Sequence, residues 1–566
     1  MLKTFAKPTQ LQNNPLWIQQ AAPGIWMLLV GAIALLLSVP VMFVISHLVG
    51  RPSAVWQHLA TTVLSTYILN SVGLMVGVGC GVMAIGVSTA ALVTLCSFPG
   101  RRIFEWLLLL PLAAPAYILA YVYTEILEFY GPVQSGLRAV MGWQTLADYW
   151  FPNIRSLGGA IAMLTLVLYP YVYLLARVAF LEQSVHMLEA SRSLGYSPWR
   201  SFLKVVLPLA RPAIAAGTAL ALMETLSDFG TVEFFGVGTF TTGIYRTWFA
   251  LGDRGAACQL AACLLLFIFA LLAVERWFRQ RAKYYQTNSR QPFPRYRLQG
   301  VRGAIAQMTC ALPILLGFAL PMSVLLNLSW NSLSKQTGAT TQAFWDFAKH
   351  SLILAGLTAG LGVAIALLMA YGLRLYPSRG MNFAVRFAAM GYAIPGSVIA
   401  VGVLVPVGQF DNAIDRWMQS TFNVSTGLLL SGTIAALVFA YLVRFLAVSF
   451  GTVESSLGRV KPSLDEAARS LGCSPAQTLV KIHAPLMSGG LLTAALLVFV
   501  DVMKELPATL IVRPFNFDTL AIRVYRLASD ERLAEAAIPA MAIVVAGLIP
   551  IALLTWQIQQ TRRSFN

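Results

Sequence analysis

The chain has 566 residues, of which 57% are hydrophobic and only 11% are charged, and its mean hydropathy is +0.70. A soluble protein of this length needs far more charged surface, so the composition excludes that class and indicates an all-α polytopic membrane protein. The net charge of +17 does not require a nucleic-acid partner, because Lys and Arg of a membrane protein collect in its cytoplasmic loops.

Long apolar runs predict about twelve transmembrane helices, arranged as two six-helix halves, because each run can cross about 30 Å of hydrocarbon. In the first half the predicted spans are 24–48, 66–95, 103–125, 156–180, 207–230 and 256–275. In the second half they are 303–329, 348–373, 383–409, 426–449, 484–511 and 535–558. The first run is too long for a signal-peptide core and is expected to stay in the protein as a helix. Pro115 and Pro395 lie in the third span of each half and predict kinks or local breaks there.

Positive charges give the orientation and the domain plan. Lys3 precedes the first span, Arg101 follows the second and Arg563 lies near the end of the chain, so all three fall on one side if both termini are cytoplasmic. Residues 1–280 are predicted to form the first half and residues 303–566 the second. Between them, residues 281–302 form a basic linker that we expect in the cytoplasm, near anionic lipid head groups.

The strongest signal is an internal repeat at an offset of 277 residues. The segment EASRSLGYSP begins at Glu189, and EAARSLGCSP begins at Glu466. From Glu189 to Leu209, 11 of 21 positions are identical at this offset, where chance would give one or two. Both copies fall between the fourth and fifth predicted spans of their half, on the predicted cytoplasmic side.

The residues of this repeat predict a helix, a glycine turn and a second helix. Gly195 can take positive φ and end the first helix, Ser197 can cap the next helix, and Pro198 suits its first turn. In the second copy, Gln477 lies three residues after Ser474, which is a capping-box arrangement. An ordinary interfacial helical hairpin is the alternative interpretation, and the duplication in register argues against it.

The repeat resembles the EAA loop of permeases in ATP-binding-cassette (ABC) importers, in which Glu-Ala-Ala is followed by three residues and Gly. Ser191 replaces the third motif residue in the first copy, and His483-Ala484-Pro485 replaces the Leu-Pro step in the second. The resemblance implies a type I ABC importer permease (MetI-like) fold, with these loops docking on the ATPase subunits. The candidate docking residues are Glu189, Ala190, Arg192, Gly195, Glu466, Ala467, Arg469 and Gly472.

The chain has no GxxxxGK[ST] phosphate loop, so we expect it not to bind or hydrolyse ATP and to have no enzymatic activity of its own. ATP and Mg²⁺ are expected on a separate ATPase, as a dimer of subunits. The six cysteines form no CxxC pair and most lie in apolar segments, so they are interpreted as packing residues, and no metal site is firmly assigned.

The repeat continues into the fifth span of each half, where it carries acids. At the same offset Glu224 aligns with Asp501 and Asp228 with Glu505, and the i, i+4 spacing predicts that each pair shares a helix face. Carboxylates inside a membrane are costly and usually face a pathway or a partner charge. They are therefore candidates for a substrate pathway, with neutralisation by Lys504 or a nearby arginine as the alternative.

Two further segments resemble ferric-iron permeases, which are also fused chains with two EAA loops. They are ETLSDFGTV from Glu224, and KELPATL from Lys504 with the residues that follow it. Carboxylate oxygens suit hard cations such as Fe³⁺. The resemblance implies a bacterial inner-membrane location and a periplasmic ferric-binding protein that docks on outer loops. Candidate docking residues, with plain loop anchoring as the alternative, are Tyr245, Arg246, Tyr525 and Arg526.

Two other functions stay open at this point. Fused thiamine permeases share the layout, so the cargo could be thiamine or another small solute. An ion-gradient secondary transporter with paired six-helix halves would use the same carboxylates as proton or sodium sites. Two ATPase-docking loops argue against the second alternative.

Overall fold

The computed structural model describes residues 24–50, 53–183, 191, 193, 195–280, 295–333 and 338–563, and most of them are helical. A helix satisfies its backbone hydrogen bonds within itself, which apolar segments require in lipid. The elements of the first half are α1 (Gly24–Ser46), α2 (Ala54–Thr62), α3 (Leu64–Leu95), β1 (Cys96–Ser97), α4 (Arg101–Leu107), α5 (Ala116–Leu127), α6 (Pro132–Met141), α7 (Leu157–Leu181), α8 (Pro198–Ser227), α9 (Gly230–Phe234), α10 (Phe240–Phe249) and α11 (Arg254–Gln280).

The second half repeats this order. Its elements are β2 (Tyr296–Arg297), α12 (Val301–Leu333), α13 (Gly338–Leu375), α14 (Arg379–Ala388), α15 (Gly396–Phe422), α16 (Ile434–Gly458), α17 (Pro462–Ser470), α18 (Pro475–Leu486), α19 (Ser488–Met503), α20 (Pro507–Val512), α21 (Leu520–Ser529) and α22 (Leu533–Arg563). Helix α7 and helix α16 begin 277 residues apart, as do α8 and α18, and α9 and α20. The sequence repeat is therefore also a repeat of helices.

The prediction of about twelve membrane spans is confirmed within the described residues. Ten helices there are long and apolar enough to cross a membrane, and two bent helix pairs raise the number to twelve if each pair is one span. Of the described spans, α7 and α16 are the most buried inside the protein. They lie at the centre of a hydrophobic core that extends through both halves.

The third span of each half, predicted at 103–125 and 383–409, is interrupted near its proline. In the first half, α4 and a short 3₁₀ turn are followed by α5 and α6 at an angle of 91°. Pro115 and Pro395 each stand immediately before the helix that follows the break, at the N-cap of α5 and of α15. The predicted local breaks are confirmed, because proline supplies no N–H and its ring clashes with a preceding helical turn.

The span predicted at 484–511 is wrong as one continuous helix. Helix α18 ends at Leu486, α19 starts at Ser488, and the two meet at an angle of 80°. A separate short helix, α20, follows after Met503. Pro507 explains the second interruption, because the residue before a proline is disfavoured in the helical region and the proline itself suits a helix start.

The two halves are interlocked. Helix α1 crosses α15 of the second half so closely that a methyl group on Gly402 would lie 2.6 Å from the Pro40 carbonyl oxygen. In the same way α12 lies against the first half, where the Tyr123 hydroxyl donates to the Leu316 carbonyl at 2.6 Å. Strands β1 and β2 pair in parallel, Cys96 with Tyr296, and so fasten the end of the linker to α3. The domain boundaries stay predictions, and residues 281–294 of the linker lie outside the described residues.

Candidate transport site and docking loops

A cavity of about 120 Å³ lies between the two halves, and all four predicted carboxylates line it. Its lining comes from α5, α7, α8 and α9 on one side and from α16, α19 and α20 on the other. The polar and aromatic residues of this lining are Tyr117, Tyr171, Glu224, Ser227, Asp228, Phe229, Tyr392, Arg444, Phe445, Asp501, Lys504 and Glu505. We call it the carboxylate cavity.

The prediction that each i, i+4 pair shares one helix face is wrong. Helix α8 ends at Ser227, and Asp228 already has extended backbone, with ψ of 134°. Helix α19 ends at Met503, so Glu505 also lies beyond its helix. The structure still brings the four acids to one cavity, because the chain turns at both positions and directs the second acid of each pair at the next short helix.

In the second half the acids are neutralised by cations. Arg444 Nη1 donates to Glu505 Oε1 at 3.0 Å, and both side chains are buried. Lys504 Nζ lies 2.9 Å from Asp501 Oδ1. Glu505 also accepts from the backbone N–H of Ala508 at 3.0 Å, at the start of α20. This half therefore follows the alternative in which nearby cations neutralise the acids.

The acids of the first half form no ion pair with a Lys or Arg in the described part of the chain. At the 277-residue offset, Arg444 aligns with Val167 and Lys504 aligns with Ser227. Both first-half residues line the cavity. Asp228 accepts from the Thr231 N–H at 3.1 Å and from the Thr231 hydroxyl at 3.0 Å, at the start of α9. Glu224 makes no hydrogen bond or ion pair with the described residues. Four carboxylates and two cations leave a formal charge of −2 on the cavity wall.

Three aromatic side chains from both halves pack together beside the carboxylate cavity. The ring of Phe229, which is buried and lines the cavity, lies 4.7 Å from the ring of Tyr245 and 5.8 Å from that of Tyr525. Tyr245 is on α10 of the first half and Tyr525 on α21 of the second. We call these three residues the aromatic cover.

The two candidate docking arginines lie on the other side of these helices. Arg246 donates to Glu233 at 3.2 Å and Arg526 to Asp518 at 2.6 Å, and both guanidinium side chains are 47% exposed. The sequence pattern grouped each arginine with its neighbouring tyrosine. In the structure the tyrosines contact the interior and only the arginines face outward, so the tyrosines anchor these helices.

The second docking loop has its predicted form. Helix α17 carries Glu466 and Ala467 on its exposed side and buries Ala468. Arg469 in its last turn is partly exposed, and the exposed Gly472 has φ of +77°, a conformation that glycine adopts without the strain other residues incur. Glu466 makes no hydrogen bond or ion pair with the described residues, and it is therefore open to a partner.

The helix start after this turn confirms the predicted capping box. The Ser474 hydroxyl accepts from the Gln477 N–H at 3.3 Å, and the Gln477 side chain accepts from the Ser474 N–H at 3.0 Å. These reciprocal bonds satisfy two donors that helix formation leaves without partners.

The first docking loop is described only in part, and Glu189, Ala190 and Arg192 lie outside the described residues. Gly195 has φ of +77°, the same as Gly472. The Tyr196 N–H donates to the Ser191 carbonyl at 3.1 Å, and the Cys473 N–H donates to the Ala468 carbonyl at 3.0 Å. The turn is therefore identical in both copies. Ser191 itself forms a hydroxyl pair with Ser201 at 2.5 Å, which accommodates the serine where the motif has alanine.

Sequence reasoning did not single out Arg444 or Phe229, and it considered Tyr245 and Tyr525 only as docking or anchoring residues. A signal for Arg444 was present, because it is the only charged residue within the apolar stretch from Ile434 to Gly451 of α16. Its partner could not be read from the sequence. Among the described residues, no three His, Cys, Asp or Glu side chains are grouped closely enough to hold a metal ion.

Comparison with known families accounts for this architecture. Residues 81–284 and 362–563 each match the model of the family described as binding-protein-dependent transport system inner membrane component. The chain belongs to this family. It carries the family domain twice, once in each half, and it is a multi-pass inner-membrane protein of the transport class.

Several relatives of this permease align along most of the chain. It is 25% identical over 537 residues to the Fe(3+)-transport system permease protein FbpB 2 of Haemophilus influenzae, covering 94% of this chain and 98% of that protein. It is 23% identical to the ferric transport system permease protein FbpB of Actinobacillus pleuropneumoniae, covering 80% of this chain and 65% of that protein. The molybdenum transport system permease protein ModB of Escherichia coli is 27% identical over 35% of this chain and 87% of its own length.

Proposed function

We propose that this permease carries ferric iron across the bacterial inner membrane as a subunit of an ATP-binding-cassette importer. The observation that carries the proposal is the carboxylate cavity, whose wall has a formal charge of −2 at the boundary between the halves. The relative named for Fe(3+) transport, which aligns over 94% of the chain, supports the same cargo. Carboxylate and phenol oxygens are hard ligands, which suit a small, highly charged cation.

The size and charge of the cavity favour a metal ion over the alternative cargoes. At about 120 Å³ it is smaller than the roughly 300–1,000 Å³ typical of pockets for organic ligands, so thiamine does not fit in this conformation. An anionic cargo would be repelled by the wall. Glu224 and Asp228, which form no ion pair with the described residues, are the acids that we assign to the pathway. Asp501 and Glu505 are assigned to its charge-paired wall.

Energy is supplied by other subunits in this proposal. A dimer of ATPase subunits, which holds ATP and Mg²⁺, docks on the two EAA loops through Glu189, Arg192, Glu466 and Arg469. No cofactor is assigned to this chain. When the ATPase dimer closes, each loop moves the helix that follows it, α8 or α18 with α19. Those helices end at the carboxylate cavity, so the cavity opens alternately to the two sides of the membrane.

The outer side of the protein receives the cargo. A periplasmic ferric-binding protein docks near Arg246 and Arg526, whose exposed guanidinium groups suit an acidic partner surface. The docking loops and both termini are then cytoplasmic, and the basic linker lies near anionic lipid. The aromatic cover closes the cavity toward the binding protein until the transport cycle opens it.

Stimulation of ATP hydrolysis separates this function from its alternatives. The complex is purified in lipid with its ATPase subunits, and hydrolysis is measured with the ferric-binding protein in its loaded and empty forms. Stimulation by the iron-loaded form supports the proposal. Stimulation by a thiamine-loaded binding protein instead would reject iron, and absence of any bound ATPase subunit would favour the ion-gradient transporter.

A further inference from the structure

The second docking helix is held by a cluster of three polar residues from three helices. Asp465 of α17 accepts from Arg374 of α13 at 2.6 and 3.0 Å. Its other oxygen lies 2.6 Å from Nε2 of His483 in α18. We call Arg374, Asp465 and His483 the polar clamp. None of them belongs to the candidate docking surface or to the carboxylate cavity.

The clamp connects the docking helix with transmembrane helices. Arg374 also donates to the carbonyls of Leu457 and Val460, at 2.8 and 2.9 Å, at the end of α16. Its side chain is 19% exposed and that of His483 is fully buried, so water competes little with these contacts. The ring of His483 packs 5.4 Å from that of Tyr371, in a small hydrophobic cluster below the loop.

His483 stands near the bend that leads to the cavity. It is the last residue of a π-helical turn in α18, and the 80° bend into α19 follows within five residues. Helix α19 has 16 residues, which corresponds to roughly 24 Å, and Asp501 and Lys504 lie at its far end. A displacement of α17 can therefore reach the wall of the cavity through the end of α18, the bend and α19.

The first half lacks every member of the clamp. At the 277-residue offset, the positions of Arg374, Asp465 and His483 are Ser97, Leu188 and Val206. If the prolines Pro99 and Pro377 are aligned instead, the position of Arg374 falls on Cys96, which is also uncharged. In the first loop the Ser191 hydroxyl pairs with that of Ser201, at the start of α8.

From these contacts we infer that the polar clamp transmits ATPase closure from the second docking loop to the wall of the pathway. Arg374, Asp465 and His483 are positioning residues, because they hold the docking helix on α13, α16 and α18 without touching ATPase or cargo. This inference depends on the docking role given under the proposed function.

The first half supplies the substitutions for the test. Arg374→Ser, Asp465→Leu and His483→Val each install the residue found in the first half, and the triple variant removes the whole clamp. The complex is reconstituted with its ATPase subunits, and ATP hydrolysed per iron ion transported is measured per assembled complex. This ratio is unaffected by the yield of folded protein, so poor folding of one variant does not confuse the result.

The expected result is loss of coupling with retention of docking. ATPase subunits stay bound, while ATP hydrolysed per ion rises about tenfold in Asp465→Leu, within the usual range of allosteric coupling. In the triple variant, ATP hydrolysed per ion rises no further than in Asp465→Leu, because the three residues act as a unit. His483→Gln keeps an N–H donor at the same distance from the backbone and restores a ratio close to that of the unmodified protein.

Two outcomes would overturn the inference: an unchanged ratio in the triple variant, or an equal rise in the first-loop control Ser191→Ala. The exposed residue Glu466 tests the underlying function separately. If Glu466→Lys leaves ATPase binding intact, the proposed docking role fails. If Glu466→Lys abolishes binding while the triple variant transports with normal coupling, only the clamp is rejected.

Discussion

Arg444 and Glu505 form a buried ion pair at 3.0 Å in the wall of the carboxylate cavity, and the first half has no counterpart of it. The repeated halves have kept their acids and diverged in their cations. Because of this divergence the cavity has one neutralised wall and one acidic wall. The following predictions test what each wall, the cover and the loops contribute.

Glu224→Gln is expected to reduce iron uptake by about tenfold or more and to leave assembly unchanged. Glu224 makes no hydrogen bond or ion pair with the described residues, so its neutralisation leaves no hydrogen-bonded group without a partner, whereas a cation passing the acidic wall loses one attractive charge. Uptake into proteoliposomes and ATPase co-purification are measured on the same preparation. Glu454→Gln, a partly exposed acid on α16, serves as the control. Full uptake in Glu224→Gln would remove this acid from the pathway.

Arg444→Leu is expected to destabilise the protein by about 3–5 kcal/mol, because it leaves the buried Glu505 carboxylate without its cation. The double variant Arg444→Leu with Glu505→Gln should recover a large part of that loss, since no buried charge then lacks a partner. Thermal unfolding in detergent measures the stability of the single and the double variant. Equal melting temperatures for the single and double variants would show that the ion pair does not hold this wall.

Phe229→Ala is expected to open the aromatic cover. In a cysteine-free background, Ser227→Cys places a thiol in the cavity, and a membrane-impermeant maleimide added from the outside reports access to it. Labelling should become at least several-fold faster with Phe229→Ala, because the ring that joins Tyr245 and Tyr525 is gone. Tyr130→Ala removes an aromatic residue that is 91% exposed, and it should not change the rate. Equal rates for the two variants would place the outer closure elsewhere.

Gly195→Pro and Gly472→Pro are each expected to leave the chain inserted and to abolish coupled transport. Both glycines have φ of +77°, whereas the proline ring fixes φ near −65°, so the docking helix cannot keep its direction. Iron uptake and ATPase association are the measurements. Gly136→Ala, on a surface helix with open space around the glycine, is the control. Normal uptake in both proline variants would contradict the docking role of these loops.

The sequence predicted most accurately those features that depend on local chemistry. The turns at Gly195 and Gly472, the cap at Ser474 and the breaks at Pro115 and Pro395 all follow from the conformational limits of single residues. The number of spans follows from hydropathy. All these features are determined within a few residues of the chain, so one sequence was enough to predict them.

Features that depend on contacts between distant segments of the chain could not be predicted from the sequence. The pairing of Arg444 with Glu505 joins residues 61 positions apart, and the pairing of Arg374 with Asp465 joins residues 91 apart. The shared helix face was predicted wrongly because it assumed that α8 continues through Asp228. The short helix α9 and its proline-led counterpart α20 interrupt that continuity.

ATP-dependent uptake of labelled ferric iron is the most direct test of whether this permease carries iron in an ATP-driven importer. Proteoliposomes contain the permease with its ATPase subunits, ATP is enclosed on the side of the docking loops, and the iron-loaded binding protein is added on the other side. We expect iron uptake to require both ATP and the binding protein, and to fall sharply in the variant that combines Glu224→Gln with Asp228→Asn. Iron uptake that persists without ATP, or undiminished uptake in that variant, would contradict the proposed function.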